Sequence, residues 1–130
     1  MEDLGLVLRH EEDITYLSCR GVVTSENGDE LNQALIMAVG TSPAELVLEM
    51  TRVTSIGFSG VIALLRAARW CGESEITLRL HSGPFVSDAL DIAGLSWLLD
   101  PEEVPSFDRQ REEALRDQVF ERLVRTPYLT

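Results

Sequence analysis

The stretch Val53 to Leu65, VTSIGFSGVIALL, sets a serine among glycines and a phenylalanine just ahead of an apolar run. A serine so placed could attack an acyl group, help cradle a phosphate, accept a phosphoryl group, or cap the helix that follows. A nucleophile elbow reads G-x-S-x-G, with glycines on both sides so that the serine can occupy a strained strand-to-helix turn. Gly57-Phe58-Ser59 supplies the first half, but Val61 stands at the second glycine position and Gly60 comes one residue early. Although His81 could supply a base, a loop separates the strand ending near Met50 from Ser59, where an elbow needs almost none. Acyl transfer is therefore not expected. A phosphate-binding loop of the form G-x-x-x-x-G-K-[ST] needs a lysine, and all eleven basic residues here are arginine. The free N–H groups of a helix start across Gly57 to Val61 would still admit a small anion. The plainest expectation is that Ser59 caps its helix, an interaction worth ~1 kcal/mol.

The remaining reactive side chains point to no catalytic or metal centre. Cys19 and Cys71 are far apart and lack metal-type neighbours, so they read as small buried hydrophobes. His10 and His81 each stand alone at a strand end. No cofactor is expected. The formal net charge of -11 would repel phosphate backbones and anionic lipid, which argues against nucleic-acid and membrane partners and favours basic protein surfaces. The most apolar window is far short of a bilayer span of roughly 20 residues. The acidic start MEDLGLVLRHEED has no signal-peptide character, so the expected location is cytoplasmic.

The elements that must position these residues alternate between strand and helix. Leu4, Leu6 and Leu8 alternate as in a strand, and Ile14 to Cys19 form a second. Leu31, Ala34, Leu35, Ala38 and Val39 make one helical stripe that Gly40 ends, with Ser25, Asn27 and Asp29 as start chemistry. ELVLEM after Pro43 reads as a strand buried on most of both sides, and TRVTSIG as a loop. From Ser59 to Cys71 the chain is a core helix whose stripe of Arg66, Arg69 and Glu73 faces water. EITLRL is a further strand, and Ser82 to Pro84 open a short helix that Gly94 stops. Trp97 to Leu99 read as extended before Asp100-Pro101. A last amphipathic helix spans about 106–125, burying Phe107, Ala114, Leu115, Val119 and Leu123, with Phe120 beside them. Together these predict a single α/β domain over 1–130, with four to five strands in a mixed, mostly parallel sheet covered by about four helices.

In order and spacing these segments resemble the STAS domain, the fold of anti-sigma factor antagonists. Cys19-Arg20-Gly21-Val22-Val23 resembles its strand ending in a glycine before the first helix, and Glu45 to Thr51 its central strand, with Glu49 where an aspartate is common. Ile56 to Leu65 resembles the segment that reads hydrophobic, D, S/T, S/T, G and then an apolar helix. Ile76 to Pro84, Leu90 to Leu95 and Pro105 onward match the later strand, loop and helices.

The resemblance implies a bacterial, non-catalytic regulator of transcription that binds an anti-sigma factor or related kinase-fold protein. In the family, a kinase phosphorylates a hydroxyl at the start of the second main helix, and the added charge of about -1.5 to -2 breaks a fitted contact. Matched residue by residue, the aspartate falls on Gly57, the acceptor on Phe58, the second hydroxyl on Ser59 and the glycine on Gly60. The usual switch is thus expected to be missing, with Phe58 left either as an aromatic anchor for a partner or folded onto the core. The implied binding face is Gly57, Phe58, Ser59 and Gly60 with Thr24 and Ser25, and the hydroxyls left for phosphorylation are Ser59 and Ser55. Two other readings stay open: sensing of a small anion or nucleotide, and a scaffold that exists as a monomer or weak homodimer.

Overall fold

The computed structural model describes residues 3–125. Strand β1 (Gly5–Glu11) turns at Glu12-Asp13 into β2 (Ile14–Val23), followed by α1 (Gly28–Gly40), β3 (Glu45–Ile56), α2 (Phe58–Glu73), β4 (Thr77–Ser82) and α3 (Pro84–Ala93). A 3-10 turn at Ser96–Leu99 leads to α4 (Arg109–Phe120), which runs on as a π-helical turn at Glu121–Arg125. The sheet order is β1-β2-β3-β4. The β1–β2 pair is antiparallel and the other two pairs are parallel. The expected α/β architecture, a mixed and mostly parallel sheet with four helices, is what forms.

The crossovers through α1 and α2 step the same way across the sheet. With the usual right-handed sense both helices therefore land on one face. On that face Leu17, Cys19, Leu46, Leu48, Met50, Leu78 and Leu80 are buried. Leu31 and Leu35 of α1 and Val61, Leu64, Leu65 and Ala68 of α2 complete the core. The opposite face is open. Val7, Ser18, Arg20, Thr77, Arg79 and His81 are exposed there, and β3 meets water through Glu45 and Glu49 rather than being buried on both sides. These two carboxylates pair across the sheet with Arg79 and His81. Val47 is the buried exception, flanked in register by Tyr16 and Arg79.

Three elements depart from the sequence expectation. Most of TRVTSIG is strand, because Val53 inserts into the core and pairs with Gly21, while Ser55 and Ile56 pair with Val22 and Val23. Trp97 to Leu99 coil instead of extending. Gly94 ends α3 in the left-handed region at φ 76, and the N–H of Leu95 donates to the Leu90 carbonyl at 2.8 Å, a helix-reversing closure. That turn drives Leu95 and Leu98 into the core and sets Trp97 edge-on against Phe107, ring centroids 5.9 Å apart. Helix α4 begins at Arg109, later than expected, because the Asp108 side chain accepts from the backbone N–H of Arg111 at 2.9 Å. Ala114, expected inside, is exposed.

Candidate functional site

The ends of β2 and β3 and the start of α2 meet at one corner of the molecule. Gly57 is extended there (φ -96, ψ -170), and its N–H donates to the Val23 carbonyl at 3.1 Å, tying the start of α2 to the end of β2. No side chain caps α2, which corrects the expectation that Ser59 would. A capping hydroxyl must come from the extended residue before the first helical one. That residue is Gly57, and Ser59 already lies within the first turn. Its Cβ serves packing: a Cβ on Gly28 would stand 2.8 Å from it, so the starts of α1 and α2 approach with only glycine between them. Gly60 is buried, and a Cβ there would meet Ile56 Cγ1 at 2.5 Å and Val23 Cγ1 at 2.7 Å. It shapes the corner from beneath rather than contributing surface.

The neighbouring turn is held by Asn27. Its Oδ1 accepts from the Thr24 N–H at 2.7 Å and its Nδ2 donates to the Val22 carbonyl at 2.8 Å. In return Thr24 Oγ1 accepts from the N–H groups of Glu26 and Asn27. This fixes exposed Thr24 and Ser25 beside exposed Gly57. Ser55 is exposed on β3 opposite Val22, and Thr54 Oγ1 donates to the Gly21 carbonyl at 3.4 Å. The predicted residues thus gather at one corner, with Gly60 below the surface.

Phe58, the first residue of α2, is half-buried against the core. The sequence pattern did not foretell what covers it: Phe120 of α4 meets the ring edge-on, centroids 5.9 Å apart at 84°. A hollow of about 140 Å³ beside this pair is lined by Gly28, Asn32, Phe58, Ser59, Arg66 and Arg116. The buried Oδ1 of Asn32 has no hydrogen-bond partner among the described residues.

Helix α4 also corrects the reading of the Arg66–Arg69–Glu73 stripe as water-facing at Arg69, while Glu73 is exposed as expected and Arg66 partly so. Arg69 is 7% and Glu112 4% exposed. Arg69 Nε donates to Glu112 Oε1 at 2.8 Å, and its Nη1 donates to Glu73 Oε1. Arg66 Nε lies 3.7 Å from Glu112 Oε2. The hydrogen bond to Glu112 holds the Arg69 pKa above its ordinary value although burial opposes it. Cys19 and Cys71 sit in the core, where burial pushes both thiols up to about 12. They are neutral and poor nucleophiles at neutral pH. His10 and His81, solitary in sequence, find Thr15 and Glu49 across neighbouring strands.

Among the described residues no helix is long and apolar enough to cross a membrane. The family described as Mlab, STAS domain matches residues 6–101. No curated protein matches the chain. Among solved structures, an anti-sigma factor antagonist from Mycobacterium paratuberculosis superposes with a TM-score of 0.68 at 19% identity, over 88% of this chain and 96% of that one. A protein called Mglu superposes with a TM-score of 0.54 at 19% identity, over 60% of this chain and 19% of that one. At such identities these likenesses concern the fold.

Proposed function

The chain belongs to the STAS domain family, and on that premise we propose that it acts by binding a protein through the start of α2, as an anti-sigma factor antagonist-like regulator without the usual phosphorylation switch. The supporting observation is Phe58. It occupies the first helical position, half-buried, beside an extended Gly57 and the hydrogen-bonded Thr24–Asn27 turn. An aromatic side chain there offers a partner apolar area at low entropic cost, and such residues dominate interface energies. It cannot accept phosphate.

The mechanism is competition. The protein, as a single unit over 1–130 in the cytoplasm, occupies a kinase-fold anti-sigma factor and frees the sigma factor, with no catalysis and no cofactor. Of the remaining hydroxyls, Ser55 is exposed, while Ser59 is half-buried with its Cβ against Gly28. The test is incubation with candidate anti-sigma kinases and ATP, reading complex formation by calorimetry and phosphate by mass spectrometry. A stable complex with no phosphate on the wild type, and phosphate at position 58 of Phe58→Ser, is expected. No complex with any such kinase, or stoichiometric phosphate on wild-type Ser59, overturns the proposal.

A further inference from the structure

The open face of the sheet holds a second feature, independent of the α2 corner. Along this face the basic side chains are otherwise engaged: Arg79 pairs with Glu45, and the Arg9 guanidinium lies over the Tyr16 ring, 4.4 Å from its centroid. Arg20 and Arg52 differ. They are register partners on the adjacent parallel strands β2 and β3, both exposed. Neither makes an ion pair or side-chain hydrogen bond among the described residues. Like charges directly opposite each other destabilise a sheet, a cost that a bound anion would relieve.

The backbone is shaped to make the pair. Ser18 aligns with Glu49, but the next pairing is Arg20 with Arg52, so β3 carries one extra residue at this point. Such a bulge re-aims side chains. With Met50 and Val53 both buried, Thr51 and Arg52 are both left exposed. On the other flank, the Arg20 stem lies flat on β1 at Gly5, where a Cβ would come 2.7 Å from Nε and 2.9 Å from Cγ. Glycine at that position seats the guanidinium. The result is a concavity of about 280 Å³ whose lining includes Gly5, Ser18, Arg20, Glu49, Thr51 and Arg52. The Glu49 carboxylate is engaged by His81.

We propose that this concavity is a binding site for the phosphoryl group of a small phosphorylated molecule. Two guanidiniums outweigh the single Glu49 carboxylate of the lining, which His81 engages, and can present paired N–H donors to phosphate oxygens. The Ser18 and Thr51 hydroxyls are placed to add to them, and the volume suits a phosphoryl group with a small substituent. The protein's net charge of -11 opposes approach at long range. Screening over about 8 Å at physiological ionic strength leaves the local pair to decide binding.

The test is a titration of the full chain with inorganic phosphate and, separately, with glycerol phosphate, followed by amide chemical shifts and calorimetry. Saturable shifts at Gly5, Ser18, Thr51 and Arg52 are expected. Arg20→Ala and Arg52→Ala should each weaken binding by about tenfold or more, the loss of a charge-assisted contact in each case. Gly5→Ala, which displaces the Arg20 stem, should weaken it with both arginines present, and Arg79→Ala should leave it unchanged. Tighter binding of glycerol phosphate than of inorganic phosphate identifies an organic phosphate as the ligand, and the reverse order identifies the free ion. No saturation at millimolar concentrations of either probe with folded protein overturns the site. So do shifts confined to Gly57–Gly60, or an equal loss in Arg79→Ala.

Discussion

The two ends of α2 are held in opposite ways. At its later turns Arg69 is enclosed with Glu112, and Glu73 and Arg66 complete a four-residue ionic cluster between α2 and α4. At its first turn there is no side-chain cap and no charge, only Phe58 under the edge of Phe120 and glycines where neighbouring elements touch. A buried ion pair contributes little net stability when intact yet costs much when one partner is removed. An aromatic contact at a rim costs little to open. The same helix is therefore anchored at one end and only lightly covered at the other, the end we propose for docking.

Breaking the anchored end should have the largest effect. Glu112→Ala leaves the buried Arg69 charge with Glu73 as its remaining partner and should cost ~3 kcal/mol, the low end for a broken buried pair, seen as a lower denaturant midpoint. If it costs under about 1 kcal/mol, as an exposed pair would, the contrast between the two ends fails. Next is Gly60→Ala, which forces Ile56 and Val23 aside beneath the corner and should cost ~1 to 3 kcal/mol while weakening partner binding. Phe58→Ala should remove about 2 kcal/mol or more of partner binding with a smaller loss of stability. Phe120→Ala should lose only ~0.5 to 1.5 kcal/mol of stability, yet tighten partner binding by uncovering Phe58. Unchanged affinity in that variant would mean that the ring is already free.

Near neutral pH the core thiols should have the smallest effect. Their folded pKa is raised from 9.0 to about 12. The unfolded chain therefore loses protons first as pH rises. Their contribution is complete below pH 9.0 and declines between there and about 12. Urea midpoints measured across that range should fall, and less steeply in Cys19→Ala/Cys71→Ala.

Local patterns made the architecture legible. Alternation in Leu4–Leu8 and Ile76–Leu80 and the apolar stripe Leu31–Val39 correspond to strands and a helix that form. What stayed hidden depends on distant partners. Arg69 looks like a surface residue until α4 is laid over it, since nothing within α2 announces Glu112. Ser59 looks like a cap because serine is a good one, but the extended Gly57, fixed by the Val23 carbonyl, starts the helix earlier. The Arg20–Arg52 pairing depends on an inter-strand register with an extra residue, which no single segment encodes. The residues of the candidate corner were named through the resemblance to a known family; Phe120 was not, because it meets Phe58 from a helix far along the chain.

The Arg69–Glu112 bond joins residues 43 apart in sequence, and that separation orders events during synthesis. Chains emerge N-terminus first, and distant pairings form late. By the time α4 leaves the ribosome, the sheet and α2 can already be in place, with the Phe58 ring bare and the Arg69 guanidinium without its buried partner. In the nascent protein the Phe58 ring is thus uncovered before α4 arrives, and the arrival of α4 is the moment at which Phe120 covers it.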